Sequence, residues 1–191
     1  MPDFLDREFV EKAIAGDTKA FRVLVERNQS FVYTLAYRFV GNVNDAEDIA
    51  QETFVRLWKN LHRYKPEVKL TTWLYKIVTN LCLDHLKSGY RKKAKRMDDV
   101  EGHKEMDGGG TADQLILNDE LQRALALLTE ELTPKQKAVF VLRDMEDVST
   151  EEVCRVLSMS SGNMKSNLYY ARKKMGEMIT LFYQTKKSRK E

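Results

Sequence analysis

The chain has 191 residues, 42% apolar and 32% charged, the balance of a folded, charge-rich protein with room for one domain or two small ones. No stretch approaches the roughly 18 apolar residues of a membrane helix, and residues 1–7 lack the basic and apolar regions of a secretion signal, so a cytoplasmic protein without membrane insertion is expected. Cys82 and Cys154 show no CxxC spacing, which argues against disulfide or zinc use, and the net charge of +3 conceals strongly segregated blocks.

The first amphipathic segment starts at Asp17 or Thr18, carries Phe21, Leu24, Val25, Val32, Leu35 and Phe39 on one face, and ends near Gly41. Asn44 with Glu47 is expected to cap the next helix, whose apolar face runs Ala46, Ile49, Ala50, Phe54, Leu57, Trp58 and Leu61. Its outward side begins with Asp48, Gln51 and Glu52. Residues 41–53 contain four acids, Asp45 among them, and no base, so DNA would be repelled there. Such a patch answers either to the positive helix dipole or to a basic protein partner.

After Pro66, Thr71 or Thr72 is expected to cap a helix over 73–88 with Leu70, Leu74, Ile77, Val78, Leu81 and His85 on an apolar arc. A second arc holds Trp73, Lys76, Asn80, Lys87 and Arg91, within about 60° at 100° per residue. Tyr75 lies near it in sequence. One aromatic ring, an amide and three cations on one stripe suit single-stranded DNA, because rings stack on exposed bases while cations hold phosphates. A boundary tryptophan beside solvated lysines would give the same pattern.

Charge then changes sign abruptly. Residues 84–96 carry a balance of +5 and residues 98–120 one of −7, with Gly108, Gly109 and Gly110 inside the second block. Such blocks repel themselves and stay extended, so 89–113 reads as a flexible acidic linker. Fully stretched, its 25 residues would reach about 85 Å.

The last segment, 149–182, reads as helix, four-residue turn and longer basic helix. Ser149 and Glu152 form a capping-box pattern, and Val153, Val156 and Leu157 give a short apolar face. Beyond the turn 158–161, Met164, Leu168, Ala171, Met175, Met178 and Phe182 recur at steps of three and four, the spacing of one buried stripe. The opposite face presents Asn163, Ser166, Asn167, Tyr170, Lys173 and Lys174. Residues 162–191 have a balance of +6. This is the layout of a helix-turn-helix reader of duplex DNA, with base-edge hydrogen bonders first and phosphate-seeking charges further along. A helical hairpin with a solvated face has the same spacing. The fold class expected is therefore all-α: a first domain over 1–88, the linker 89–113, and a helix-turn-helix domain with basic tail over 114–191.

Enzymatic function has little support. His62, His85 and His103 are scattered, no phosphate-binding glycine loop or nucleophile elbow is present, and neither a cofactor, a metal nor a small-molecule substrate is expected. A dimeric helix-turn-helix regulator is the rival reading, but it needs neither the Trp73 stripe nor the acidic Asp48 patch.

The run 45–54 (Asp-Ala-Glu-Asp-Ile-Ala-Gln-Glu-Thr-Phe), the run 72–77 (Thr-Trp-Leu-Tyr-Lys-Ile) continuing through Asn80 to Asp84, and Ser160-Ser161-Gly162-Asn163-Met164-Lys165-Ser166 together resemble bacterial RNA polymerase sigma factors of the extracytoplasmic-function group. Gly16-Asp17 with Ala20, Phe21 and Leu24 matches the opening helix of that group. The likeness covers about 8–88 and 115–182. It implies an initiation factor in which Asp45, Asp48, Gln51 and Glu52 dock on core RNA polymerase. The Trp73 stripe would face the melted minus-ten element, with Asn80 near a flipped non-template base. The second hairpin, through Ser161, Asn163, Lys165, Ser166, Asn167, Tyr170, Lys173 and Lys174, would sit on minus-thirty-five duplex. The acidic linker would thread the RNA exit path. An anti-sigma protein is implied as a further partner.

Departures cluster where sequence is read. Family members often carry Gly-Thr-Val-Lys-Ser-Arg where this chain has Gly162-Asn163-Met164-Lys165-Ser166-Asn167, and Tyr170 stands where arginine is frequent. Fewer phosphate or guanine contacts follow, and Asn163 and Asn167 can pair instead with adenine edges. Glu146-Asp147 replaces a glycine-containing turn, a small cost in turn chemistry without an evident functional meaning.

Overall fold

The structure, a computed structural model, describes the backbone of residues 3–65, 67–96 and 128–188 and the side chains of 7–65, 67–88 and 128–181. Every regular element among the described residues is helical. After α1 (Asp3–Ile14), α2 (Thr18–Val40) begins with the Asp17 carboxylate accepting from the N–H groups of Lys19 at 2.8 Å and Ala20 at 3.1 Å. Those donors have no partner inside the helix, so the cap fixes the start. Gly41 ends it in the left-handed region, φ 67°, where a glycine meets no Cβ penalty. Leu24, Asn28, Val32, Leu35 and Phe39 face inward, and the buried Asn28 amide donates to the Leu24 carbonyl at 2.9 Å.

α3 (Val43–Asn60) is capped by Asn42, whose side chain accepts from the Asp45 N–H at 3.0 Å. The expected cap, Asn44, already lies inside the first turn, too late to reach that donor. Ala46, Ile49, Thr53 and Leu57 are buried, but Trp58, expected on the same apolar face, is 40% exposed. Its position is 100° round the helix from Leu57, and its ring leans on Phe21 with centroids 4.7 Å apart.

A 3-10 turn (Leu61–Arg63) precedes α4 (Leu70–Arg96). Neither Thr71 nor Thr72 caps α4, because the helix is already under way at Leu70, and the Thr72 hydroxyl donates to Glu152 instead. α4 also runs past Ser88, where the first domain was expected to close, through a stretch rich in the good helix formers Lys and Arg. The remainder of the expected linker, 97–113, lies outside the described residues.

In the second half, Thr133 and Gln136 form a reciprocal capping box ahead of α5 (Pro134–Phe140), which widens into a π turn (Val141–Met145). Asp147 follows with φ 51°, so the strain of the missing glycine falls on an aspartate. α6 (Thr150–Leu157) and α7 (Ser161–Ser188) form the hairpin, joined across Ser158, itself left-handed at φ 51°. The Ser149 capping box is only half made. The Glu152 N–H donates to Ser149 Oγ at 3.2 Å, while the Glu152 carboxylate takes the Thr72 hydroxyl.

Met164, Leu168, Ala171 and Met175 form a buried stripe at the predicted spacing, Met178 is half-buried, and the side chain of Phe182 lies outside the described ones. α4 packs against both α5 and α6, and Leu74, Val78 and Cys82 share one apolar cluster with Ala138, Val139, Leu142 and Val153. The two halves of the chain are thus docked on each other.

Candidate nucleic-acid interface

Lys76, Asn80 and Lys87 are exposed along α4, and Trp73 at the head of their stripe is half-buried. The indole packs edge-on against Tyr64, centroids 5.5 Å apart and planes at 84°, which fixes its orientation. Lys87 lies 3.6 Å from Asp84, a loose surface pair. Tyr75 is not brought to this stripe. Two residues beyond Trp73 place it 200° round the helix, where it meets Phe31 edge-on at 5.0 Å and donates its hydroxyl to Glu146 at 3.4 Å. Burial and the neighbouring Glu146 push its phenol pKa upward. Arg91 lies on the α4 backbone, and its side chain is outside the described ones.

On α7, Ser161, Asn163, Lys165, Ser166, Tyr170 and Lys173 are exposed, and Asn167 and Lys174 are half-buried. Ser160 accepts from the Asn163 N–H at 3.3 Å, so the N-terminal turn that enters a groove is capped. The Asn167 amide donates to Asn163 Oδ1 at 2.6 Å and to the Asn163 carbonyl at 2.8 Å, clasping the two side chains together. Lys174 is 3.6 Å from Glu131. Tyr169, absent from the sequence reading, is 64% exposed and packs edge-on against Tyr170 at 5.4 Å. It lies 60° from Ser166 in projection, the signal that would have found it. Arg172 turns away from this face to grip Asp144 bidentately at 2.8 and 2.6 Å, bracing α7 on the π turn.

The acidic face of α3 divides. Asp48 and Gln51 are exposed, and Glu52 is half-buried and paired with Arg56 at 2.8 Å. Asp45 leans toward α4, 3.5 Å from His85 Nε2. Val55, 42% exposed, and Trp58 continue the outward side, with Thr18, Phe21 and Phe54 lining the shallow apolar cleft between them. Acids beside an apolar cleft form a protein-docking surface more readily than a solvated helix flank does. Among the described residues, no group of three or more His, Cys, Asp or Glu converges as a metal site, and no helix is long and apolar enough to cross a membrane.

Residues 24–92 match the family Sigma-70 region 2, and residues 122–175 match Sigma-70, region 4, so the α4 stripe and the α7 face each fall inside one matched region. The chain is 27% identical over 185 residues to the ECF RNA polymerase sigma factor SigW of Bacillus subtilis, covering 93% of this chain and 98% of that protein. It belongs to the extracytoplasmic-function sigma factors. A sigma factor of this group is a promoter-specific transcription initiation factor, and that is the function of this chain. Its fold resembles CnrH, solved in complex with the cytosolic domain of CnrY, at TM-score 0.66 and 23% identity over 92% of this sigma factor and 97% of that chain. It also resembles the sigma factor RpoE, solved with the anti-sigma factor NepR from Bartonella quintana, at TM-score 0.62 and 20% identity over 85% of this sigma factor and 98% of that chain. At those identities both likenesses carry the all-α fold alone.

Proposed function

We propose that this sigma factor joins core RNA polymerase through Asp48, Gln51 and Glu52 with the adjoining Val55–Trp58 cleft, and places two DNA faces on one promoter. The α4 stripe takes the melted minus-ten strand: Trp73 offers a ring for stacking, Asn80 hydrogen-bonds an extruded base, and Lys76 and Lys87 hold phosphates. Extruding a base costs a few kcal/mol, which stacking and pocket contacts must offset. The α7 face takes minus-thirty-five duplex, with Asn163, Asn167 and Tyr170 over base edges and Lys173 on the backbone. To pair with adenine, the Asn163 and Asn167 amides exchange their mutual hydrogen bond for two to the base. Domains over 1–88 and 114–191 serve these two sites, with α4 carrying the first on to Arg96 before the rest of the 89–113 connection, and the chemistry of chain growth remains the polymerase's own. The partner class seen with RpoE, an anti-sigma protein, is extended to this chain as the agent that masks both faces.

The observation that carries this reading is the exposure of Lys76, Asn80 and Lys87 beside Trp73 on one helix, and of Ser161, Asn163, Ser166, Tyr170 and Lys173 on another. Its test is capture of core enzyme. Asp48→Lys with Glu52→Lys should reduce polymerase retained on the immobilised factor by about tenfold or more, since like charges then face a basic partner. Undiminished retention rules that docking face out.

A further inference from the structure

Tyr169 and Tyr170 are the two most exposed aromatic side chains among the described residues, at 64% and 55%. Each stands about 50° from the line directly opposite the buried stripe Met164, Leu168, Ala171 and Met175, one on either side of it. Near that outermost line, one or two turns earlier, lie Gly162 and Ser166, and a Cβ added to Gly162 would meet nothing within 4 Å. Two small residues let another surface come close, with a ring rising on each flank. The rings touch edge to face, centroids 5.4 Å apart and planes at 74°, so each restricts the other's rotation. They sit about 12 Å along α7 from Ser161, roughly one major-groove width, and so remain within the groove that the helix enters.

Guanine is poorly served by this face. It offers the acceptors O6 and N7, and the planar fork that matches both belongs to arginine. Arg172 is the single arginine between Ser161 and Lys174, and its fork is closed on Asp144 at 2.8 and 2.6 Å. Lys165 and Lys173 instead line, with Tyr169 and Arg172, a shallow basin of 610 Å³ on the flank of the helix, where point charges suit phosphates. Beside Tyr170 is an amide, since Asn163 lies about 20° from it in projection, two turns earlier. Amides suit adenine. The partner base, thymine, adds a C5-methyl group to the major groove, an apolar target that aromatic carbon can cover.

We propose that Tyr169 and Tyr170 are specificity-determining residues of the α7 face, packing their rings on thymine methyl groups so that this factor selects A·T pairs in its upstream element and makes no use of guanine. The inference rests on the duplex reading of α7 above. Backbone contacts in the basin set the register, and the two rings carry sequence.

The test uses the full chain assembled with core RNA polymerase and a promoter-length duplex library randomised over the minus-thirty-five element. Wild type should enrich A·T pairs. On the enriched duplex, replacing thymine by deoxyuridine at each position in turn removes one methyl and nothing else. Binding should weaken by about fourfold at one or two positions, the factor that burying one such carbon is worth. Tyr169→Ala with Tyr170→Ala should hold the thymine and deoxyuridine duplexes equally, whereas Tyr169→Phe with Tyr170→Phe, which keeps both rings, should retain the preference. Tyr170→Arg supplies the missing fork and should bring guanine into the enriched pool. Because both side chains are exposed, helical circular dichroism should be the same in every variant. Wild-type binding indifferent to the methyl, a thymine preference that survives loss of both rings, or a wild-type pool led by guanine would overturn the inference and leave the duplex reading standing. A library from which wild type enriches no minus-thirty-five sequence at all defeats the duplex reading and this inference with it.

Discussion

Lys137 is 3% exposed, and burial, only partly offset by Glu130 and by the Cys82 thiol of α4, lowers its pKa to about 8. The exposed value is about 10.4, so the unfolded chain holds that proton more tightly than the folded one. The cost of burying the ammonium is therefore full below about pH 8 and fades as pH rises toward 10.5. Lys137→Met should raise unfolding free energy near neutral pH by roughly 3 kcal/mol, the size of such a shift, with the gain shrinking in urea titrations run toward pH 10. A gain independent of pH would mean that Lys137 buries no charge. Nothing in Pro134-Lys135-Gln136-Lys137-Ala138 marks this lysine out from a surface cation, because its burial depends on how α5 meets α4. Trp58 fails in the opposite direction: its apolarity reads as core, yet the face it occupies is outward.

Among the elements, α2 and the α6–α7 hairpin were legible because a 3.6-residue apolar period and short polar caps are local properties of the chain. Asp17, Gly41 and Ser149 act where their chemistry says they should. Helix starts differ from the expected ones where Asn42, two residues before Asn44, reaches the first free donor, and where Thr72 has a distant partner in Glu152. The outward face of α7 makes a prediction of its own. Replacing Lys173 and Lys174 by Ala should lower affinity for all duplex sequences and flatten the dependence of log K on log salt by about 0.9 for each phosphate no longer neutralised. Lys173, exposed, should account for more of the change than Lys174, which is half-buried near Glu131. An unaltered slope places neither at the backbone.

For the molecule as a whole, the family and the all-α fold could be read from three motifs in order, whereas the docking of one half on the other could not. Its polar contacts join residues 71 to 108 positions apart, from Arg38 of α2 and from Thr72 and Tyr75 of α4 to the stretch 145–152, and nothing local in the chain pairs those residues. Glu146-Asp147, which looks like a mere loss of turn chemistry in the sequence, owes its meaning to Arg38 and Tyr75. The central claim is that one chain holds melted strand on α4 and duplex on α7 while bound to polymerase. Permanganate reactivity of unpaired thymines, measured with core enzyme on templates drawn from genes induced by overexpressing the factor, tests it most directly. Wild type should open DNA near the start site, and Trp73→Ala should bind polymerase normally yet open at least about tenfold less. Reactivity equal in wild type and Trp73→Ala, or no opening on any template by either, would contradict it.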